Sequence, residues 1–219
     1  MDSRHSGRKD FYPLYKSHRE DRKEKSPVKV QKVMDFQDYI REDISLRIIE
    51  FDELEADDLV ALFVQNYKTD VMAIDKDLLQ ISGIQMHKVS NDPVTLENFI
   101  RRQPKGIQGF IKQPRDVLVV LCLLGDSSDD VPRILPVGQI PLLARILSSP
   151  DPFQVAYELY GDSFLTNYYL TALPGPWVYD PHPDPKSFFE ERDQKRVLRR
   201  DISHYLSEME ESGCLQRSS

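Results

Sequence analysis

Three acidic clusters within the first 130 residues constrain the fold of this 219-residue chain more tightly than any other feature. They are Glu55-Ala56-Asp57-Asp58, Ile74-Asp75-Lys76-Asp77-Leu78 and Gly125-Asp126-Ser127-Ser128-Asp129-Asp130. Each places carboxylates close together beside an apolar segment able to hold them. Oxygen-only ligand sets suit hard divalent cations such as Mg2+ or Mn2+, and a pair of such ions is a standard device for hydrolysing phosphodiesters. Each cluster also has a local explanation. Acids in the first turn of a helix complement its dipole and cap free N–H groups. Asp75 and Asp77 suit a surface turn. Residues 125–130 suit a solvated loop or a weak calcium loop, although the later bidentate glutamate of an EF-hand is lacking. Two carboxylates ~4 Å apart repel by about 1 kcal/mol in water and ~4 kcal/mol near a protein surface. A fold that converged the clusters would therefore need bound cations or shifted pKa values. The clusters taken together predict a metal-dependent nuclease.

Hydrophobic patterning places these clusters on elements. Arg8 to Arg19 reads as a helix that Pro13 would break or start, and Val28 to Ile44 has near-helical apolar spacing. Leu46–Phe51, Val71–Ile74 and Gln85–Val89 read as strands. Leu59–Tyr67 reads as a helix opened by Glu55, Asp57 and Asp58, Asp75–Leu79 as a helical turn, and Leu96–Arg101 as a short helix. Strand, acidic cluster, helix, strand, acidic cluster is the order of an α/β fold with a parallel sheet, in which ligands bind beyond the carboxyl ends of the strands. Pro114–Leu124, Ile140–Leu147 and Pro152–Ala172 (interrupted at Gly161) read as helices. Leu173–Lys186 holds five prolines and reads as a loop. Ser187–Glu210 reads as a charged helix, followed by a frayed tail.

Forty per cent hydrophobic and thirty per cent charged residues fit a soluble globular chain. The longest apolar run, Val117–Leu124, is far short of the ~20 residues of a membrane span. Two cysteines and no apolar leader favour an intracellular, cytoplasmic setting. Net charge is −7, yet residues 1–32 carry ten Lys/Arg against five acids. Cations that gather phosphate beside carboxylates that hold metal suit a nuclease; a solvated basic arm is the plainer alternative.

At these residues the chain resembles the 5′-nuclease (flap endonuclease) superfamily, which includes the 5′→3′ exonuclease domain of bacterial DNA polymerase I and phage-type exonucleases. The Glu-Ala-Asp-Asp motif falls on Glu55–Asp58. Gly-Asp-Lys-Asp-Leu-x-Gln falls on Ile74–Gln80, with Ile in place of Gly. Gly-Asp-Ser-Ser-Asp-Asn-Ile-Pro falls on Gly125–Pro132, with Asp130 and Val131 as departures. The basic motif falls on Arg8 and Tyr15-Lys16-Ser17-His18-Arg19, and Asp2 stands where the family has an aspartate closing a strand.

The resemblance implies a PIN-like α/β nuclease core over 1–124, N-terminally incomplete because the first strand of the family is not seen, with a basic arch or clamp helix near 8–19. A helical, helix-hairpin-helix-type DNA-binding region over 125–219 would follow. Asp2, Glu55, Asp57, Asp58, Asp75, Asp77, Asp126 and Asp129 would bind or orient two Mg2+ ions, with Mn2+ able to substitute. Lys16 and Arg19 would neutralise the scissile phosphate. Arg8, Tyr15, Lys16, Arg19, Arg133 and Gly138 would contact DNA, although Arg133 to Gly138 retains only one of the usual hairpin glycines. The implied activity is cleavage of DNA at 5′ ends or flaps, and of RNA in RNA–DNA hybrids, in replication or repair. Two alternatives stand beside it: a non-catalytic DNA-binding remnant of the fold, and a magnesium phosphohydrolase of small phosphate esters.

Overall fold

The computed structural model describes residues 6–19, 27–42, 48–67, 69–73, 75–84, 86 and 94–217. Its regular elements are helices: α1 (Gly7–Phe11), α2 (Pro27–Glu42), α3 (Ala56–Asn66), α4 (Leu96–Arg102), α5 (Lys105–Gln108), α6 (Pro114–Leu124), α7 (Ile140–Leu147), α8 (Pro152–Tyr160), α9 (Asp162–Thr171), α10 (Pro185–Glu190) and α11 (Arg200–Glu211). Two 3-10 turns, Lys76–Gln80 and Pro176–Val178, complete them.

Helix α6 is the centre of the molecule. Pro114 opens it, where a missing N–H costs nothing. The Asp116 carboxylate accepts from the N–H groups of Lys112 and Gln113 at 2.8 and 3.0 Å. Val117, Val119, Val120, Leu121, Cys122 and Leu123 are all buried, so the helix is enclosed on every side. It packs on α7, α8, α9 and the 76–80 turn. Gly125 ends it at φ +70°, where a Cβ would stand 2.6 Å from the Arg133 nitrogen and the Val131 oxygen.

Among the described residues, pairing between extended segments is limited to isolated bridges. Ser6–Glu53 and Val71–Met86 are parallel; Tyr67–Arg217 and Asp126–Val131 are antiparallel. The expected strands are thus not seen as a sheet. Residues 48–50 are irregular, Val71 makes a single bridge, and of Gln85–Val89 only Met86 lies among the described residues. Of the two parallel bridges, Val71–Met86 joins two segments that the sequence assigns to strands.

The basic segment also departs from one continuous helix. Pro13 stops α1, and residues 13–16 form a turn before helical geometry resumes at 17–19. Ser187–Glu210 divides into α10 and α11, with residues 191–199 between them not helical. No helix among the described residues is long and apolar enough to cross a membrane.

Candidate active site

The three acidic clusters meet. Glu55, Asp57, Asp77, Asp126 and Asp129 line one cleft, with Arg8, Tyr15 and residues from the end of α9 along its wall. The free volume between them is about 20 Å³, room for roughly one water molecule. Asp75 lies at its edge, exposed, where its Oδ1 caps the 76–80 turn by accepting the Asp77 N–H at 2.9 Å.

Each carboxylate owes its place to a local device. Ala56 to Asp58 form the first turn of α3, and Asp58 reaches back to accept the Glu55 N–H at 3.1 Å. Gln80 anchors the second cluster to the end of α9. Its Nε2 donates to the Thr171 carbonyl and its Oε1 accepts from the Leu173 N–H, both at 2.9 Å. In the third cluster, Asp126 Oδ1 accepts from the N–H and hydroxyl of Ser128 at 2.7 and 2.6 Å. Asn167, fully buried on α9, donates to the carbonyls of Cys122 and Pro132 and so ties that loop down from both sides.

Cations from the basic segment and the second cluster are interleaved with these acids. Lys16 Nζ lies 2.6 Å from Glu55 Oε2 and 3.9 Å from Asp129 Oδ2. Arg19 pairs with Asp129, and Lys76 with Asp126. Lys16 itself has a left-handed backbone (φ +53°), and its N–H bonds the Asp129 carbonyl at 3.0 Å. Asp130 Oδ2 accepts from the Ser17 hydroxyl and the His18 N–H at 3.2 Å and faces His18 Nδ1 at 2.7 Å, docking this turn on the third cluster.

Charge in the cleft is unevenly balanced. Burial, reinforced by Asp75, pushes the Asp57 carboxyl up to about 7. Burial also pushes Asp77 up to about 7; neighbouring Lys76 opposes the shift, while Asp75, Asp126 and Asp129 add to it. Asp129 is raised by burial against the pull of Lys16 and Arg19. Glu55 goes the other way: burial is outweighed by Arg8 and Lys16, so its pKa is lowered. Asp126 is likewise lowered, burial being outweighed by Lys76 and Ser128.

Several expected site residues hold other positions. Arg8, expected along the DNA backbone, faces inward with 1% of its side chain exposed. Its guanidinium grips both oxygens of Asp58 at 2.6 and 2.7 Å and donates to the carbonyls of Leu170 and Ala172. Asp58, expected on metal, is fully buried in that pair and also accepts the Gly175 N–H at 2.6 Å. A carboxylate in that setting has no oxygen left facing the cleft. Tyr15 is buried with its hydroxyl on Glu55 at 3.1 Å. Arg133 and Gly138 are exposed and stand apart from the cleft, Arg133 Nε being bonded to the Leu135 carbonyl. Asp2 lies outside the described residues.

Among the described residues, no group of three or more His, Cys, Asp or Glu side chains stands ready to hold a metal ion, because ammonium and guanidinium groups lie between the acids. The donor set nonetheless fits a cation. Asp77 Oδ1 is buried without a hydrogen-bond partner, its nearest cation being Lys76 Nζ at 3.5 Å. Three carboxyls are pushed upward by burial and by neighbouring carboxylates. Such a site is stabilised by added positive charge, and all the donors are oxygens.

Residues 1–104 match the family described as the 5'-3' exonuclease, N-terminal resolvase-like domain. The match spans the basic segment and the first two acidic clusters and supports the resemblance to the 5′-nuclease superfamily, whose members are generally divalent-metal dependent. No curated protein and no solved structure matches the chain.

Proposed function

We propose, from the 5'-3' exonuclease domain carried by residues 1–104, that this chain is a metal-dependent 5′ nuclease acting on DNA at 5′ ends or flaps. Residues 125–219 would serve as its helical DNA-binding region, and primer removal in replication or repair would be its setting. The observation that carries the reading is the single cleft shared by Asp57, Asp77, Asp126 and Asp129, with Lys16 and Arg19 ion-paired at its acids. Asp57, Asp75, Asp77, Asp126 and Asp129 are the oxygens that would hold Mg2+ or Mn2+; Asp58 serves the fold. Divalent ions there would supply the charge that activates water and stabilises the leaving oxygen.

The side chains of the chain itself have separable tasks. Lys16 and Arg19, paired with Glu55 and Asp129 in the metal-free protein, would turn to the phosphate and neutralise its developing charge. Glu55, held by Ser6 and Tyr15, would orient water at the floor of the cleft. Asp130 holds the Lys16 turn over the cleft.

A second reading has one observation in its favour. The cations paired with Glu55, Asp126 and Asp129 satisfy the acids internally, as a non-catalytic DNA-binding form of the fold would require. A single assay separates the two. The folded protein is incubated with a 5′-flap duplex in Mg2+, in Mn2+ and in EDTA, alongside Asp77→Asn and Asp126→Asn. Cleavage that needs metal and is lost in both variants supports the nuclease. Tight, salt-sensitive binding without turnover, unchanged by Asp126→Asn, supports the second reading.

A further inference from the structure

Residues 173–217 carry no recognised motif, yet they pack directly behind the acidic cleft. Trp177 lies against Gly7 so closely that a Cβ there would stand 2.1 Å from its indole nitrogen. Arg199, immediately before α11, reaches Glu53, two residues before the first acidic cluster. Its Nη1 lies 2.6 Å from Glu53 Oε2 and 3.2 Å from the Trp177 carbonyl. Its Nη2 lies 2.9 Å from Asp201 Oδ2, and its own N–H bonds the Val178 carbonyl at 3.0 Å. With 15% of the side chain exposed, the guanidinium is committed to the protein.

We propose that Arg199 is a positioning residue for the Glu55–Asp57 cluster, acting through Glu53; the inference rests on the nuclease reading of the cleft. Glu53 has a left-handed backbone at φ +70°, a conformation that L-residues with a side chain seldom adopt without support. Its carbonyl accepts the Gly7 N–H at 3.1 Å in the parallel bridge with Ser6, and the Ser6 hydroxyl in turn holds Glu55 Oε1 at 2.8 Å. The direction in which the chain leaves Glu53 decides where Glu55 and Asp57 stand relative to Asp77 and Asp126. Arg199 fixes the side chain of that one strained residue from the far side. When the anchor is lost, Glu53 relaxes toward an ordinary backbone conformation and the first cluster turns away from the other two.

The test combines Arg199→Ala, Glu53→Gln and their double variant, with Arg200→Ala as a neighbouring exposed cation. Single-turnover cleavage of a 5′-overhang duplex in Mg2+ is measured, with DNA affinity across a salt series and amide hydrogen exchange of residues 54–59 in metal-free protein. The expected result is a loss of about tenfold in cleavage rate for each of the first two variants, since small misplacements of reacting groups are costly. DNA affinity should hold within about twofold, and the double variant should lose no more than either single one, as for two residues acting through one contact. Exchange across 54–59 should quicken in all three, and Arg200→Ala should leave exchange unchanged. Should Arg199→Ala instead weaken DNA binding and flatten its salt dependence while Glu53→Gln does not, Arg199 is a phosphate contact and the proposal is overturned. Unchanged exchange overturns it equally. If the wild-type protein cleaves nothing, the nuclease reading fails, while faster exchange in the variants still upholds the anchoring of the cluster. If Arg199→Ala does not fold, Glu53→Gln, which keeps the side-chain shape, decides alone.

Discussion

Arg8 and Asp58 form a two-pronged ion pair in the dry interior, Nη1 to Oδ2 at 2.6 Å and Nη2 to Oδ1 at 2.7 Å, with at most 1% of either side chain exposed. The pair is a joint between distant parts of the chain. Arg8 opens the basic segment, Asp58 closes the first acidic cluster, and the remaining donors and acceptors are met by the backbones of Leu170, Ala172 and Gly175. Burial alone would lower the Arg8 pKa, but Asp58 and Glu55 outweigh it and raise the value well above that of a free guanidinium.

Cutting this joint from one side should be costly. Arg8→Ala leaves Asp58 as an uncompensated buried charge, and the expected destabilisation is about 3–5 kcal/mol. The double variant Arg8→Leu/Asp58→Leu, which removes both charges, should be markedly more stable than either single change. Urea denaturation of the three proteins checks it; a double variant no better than Arg8→Ala would mean the backbone bonds, not the ion pair, hold the joint.

The acidic cleft should make metal-free stability depend on pH. Asp57 and Asp77 have folded-state values raised from 3.8 to about 7. Between those limits the folded protein holds more protons than the unfolded chain, so stability falls as pH rises from about 4 to 7. Thermal melts in EDTA should therefore give a lower Tm at pH 7.5 than at pH 5.5. Asp77→Asn, which cannot ionise, should remove part of that slope, and Mg2+ should raise Tm more at pH 7.5 than at 5.5. A metal-free Tm that climbs over this range would contradict the burial of these carboxyls.

Gly125→Ala should destabilise the third cluster through the backbone. The position has φ +70°, and a Cβ would meet backbone atoms 2.6 Å away that cannot step aside. Strain of this kind costs on the order of 1–3 kcal/mol, with added cost for shifting the 131–133 backbone. Because Asp126 follows directly, metal-dependent cleavage should fall together with stability in denaturant titration. Unchanged stability would show that the loop has another low-energy path.

How much of this was legible in the sequence depended on whether the cause was local. Pro114 and Gly125 bracket α6, and Pro141 at the second position of α7 marks another start, so both helices match their sequence reading to the residue. The meeting of the acidic clusters followed from motif order and apolar patterning, which report the fold as a whole. Arg8 reads as a DNA-facing cation because nothing nearby in sequence reveals that Asp58, fifty residues on, encloses it. Asn167 and Arg199 give no sequence signal for the same reason: their partners lie 45 and 146 residues away. A sheet is not seen among the described residues, and apolar runs such as Val71–Ile74 show a tendency to extend without specifying a neighbour to pair with.

Lys16 provides a prediction in which two measurements should move in opposite directions. Its ammonium lies 2.6 Å from Glu55 and 3.9 Å from Asp129, so in metal-free protein it occupies oxygens that a cation would approach. On the nuclease reading the same group neutralises phosphate charge during cleavage. Lys16→Ala should then lose about 10²–10³-fold in cleavage rate, the scale seen when one stabilising donor is removed. It should bind Mn2+ more tightly than wild type in the absence of DNA, because the competing charge is gone. Calorimetric Mn2+ titration and single-turnover cleavage are the two readouts. Weaker Mn2+ binding in Lys16→Ala would show that the ammonium supports the arrangement of acids rather than competing for it, and the displacement of Lys16 by metal would have to be abandoned.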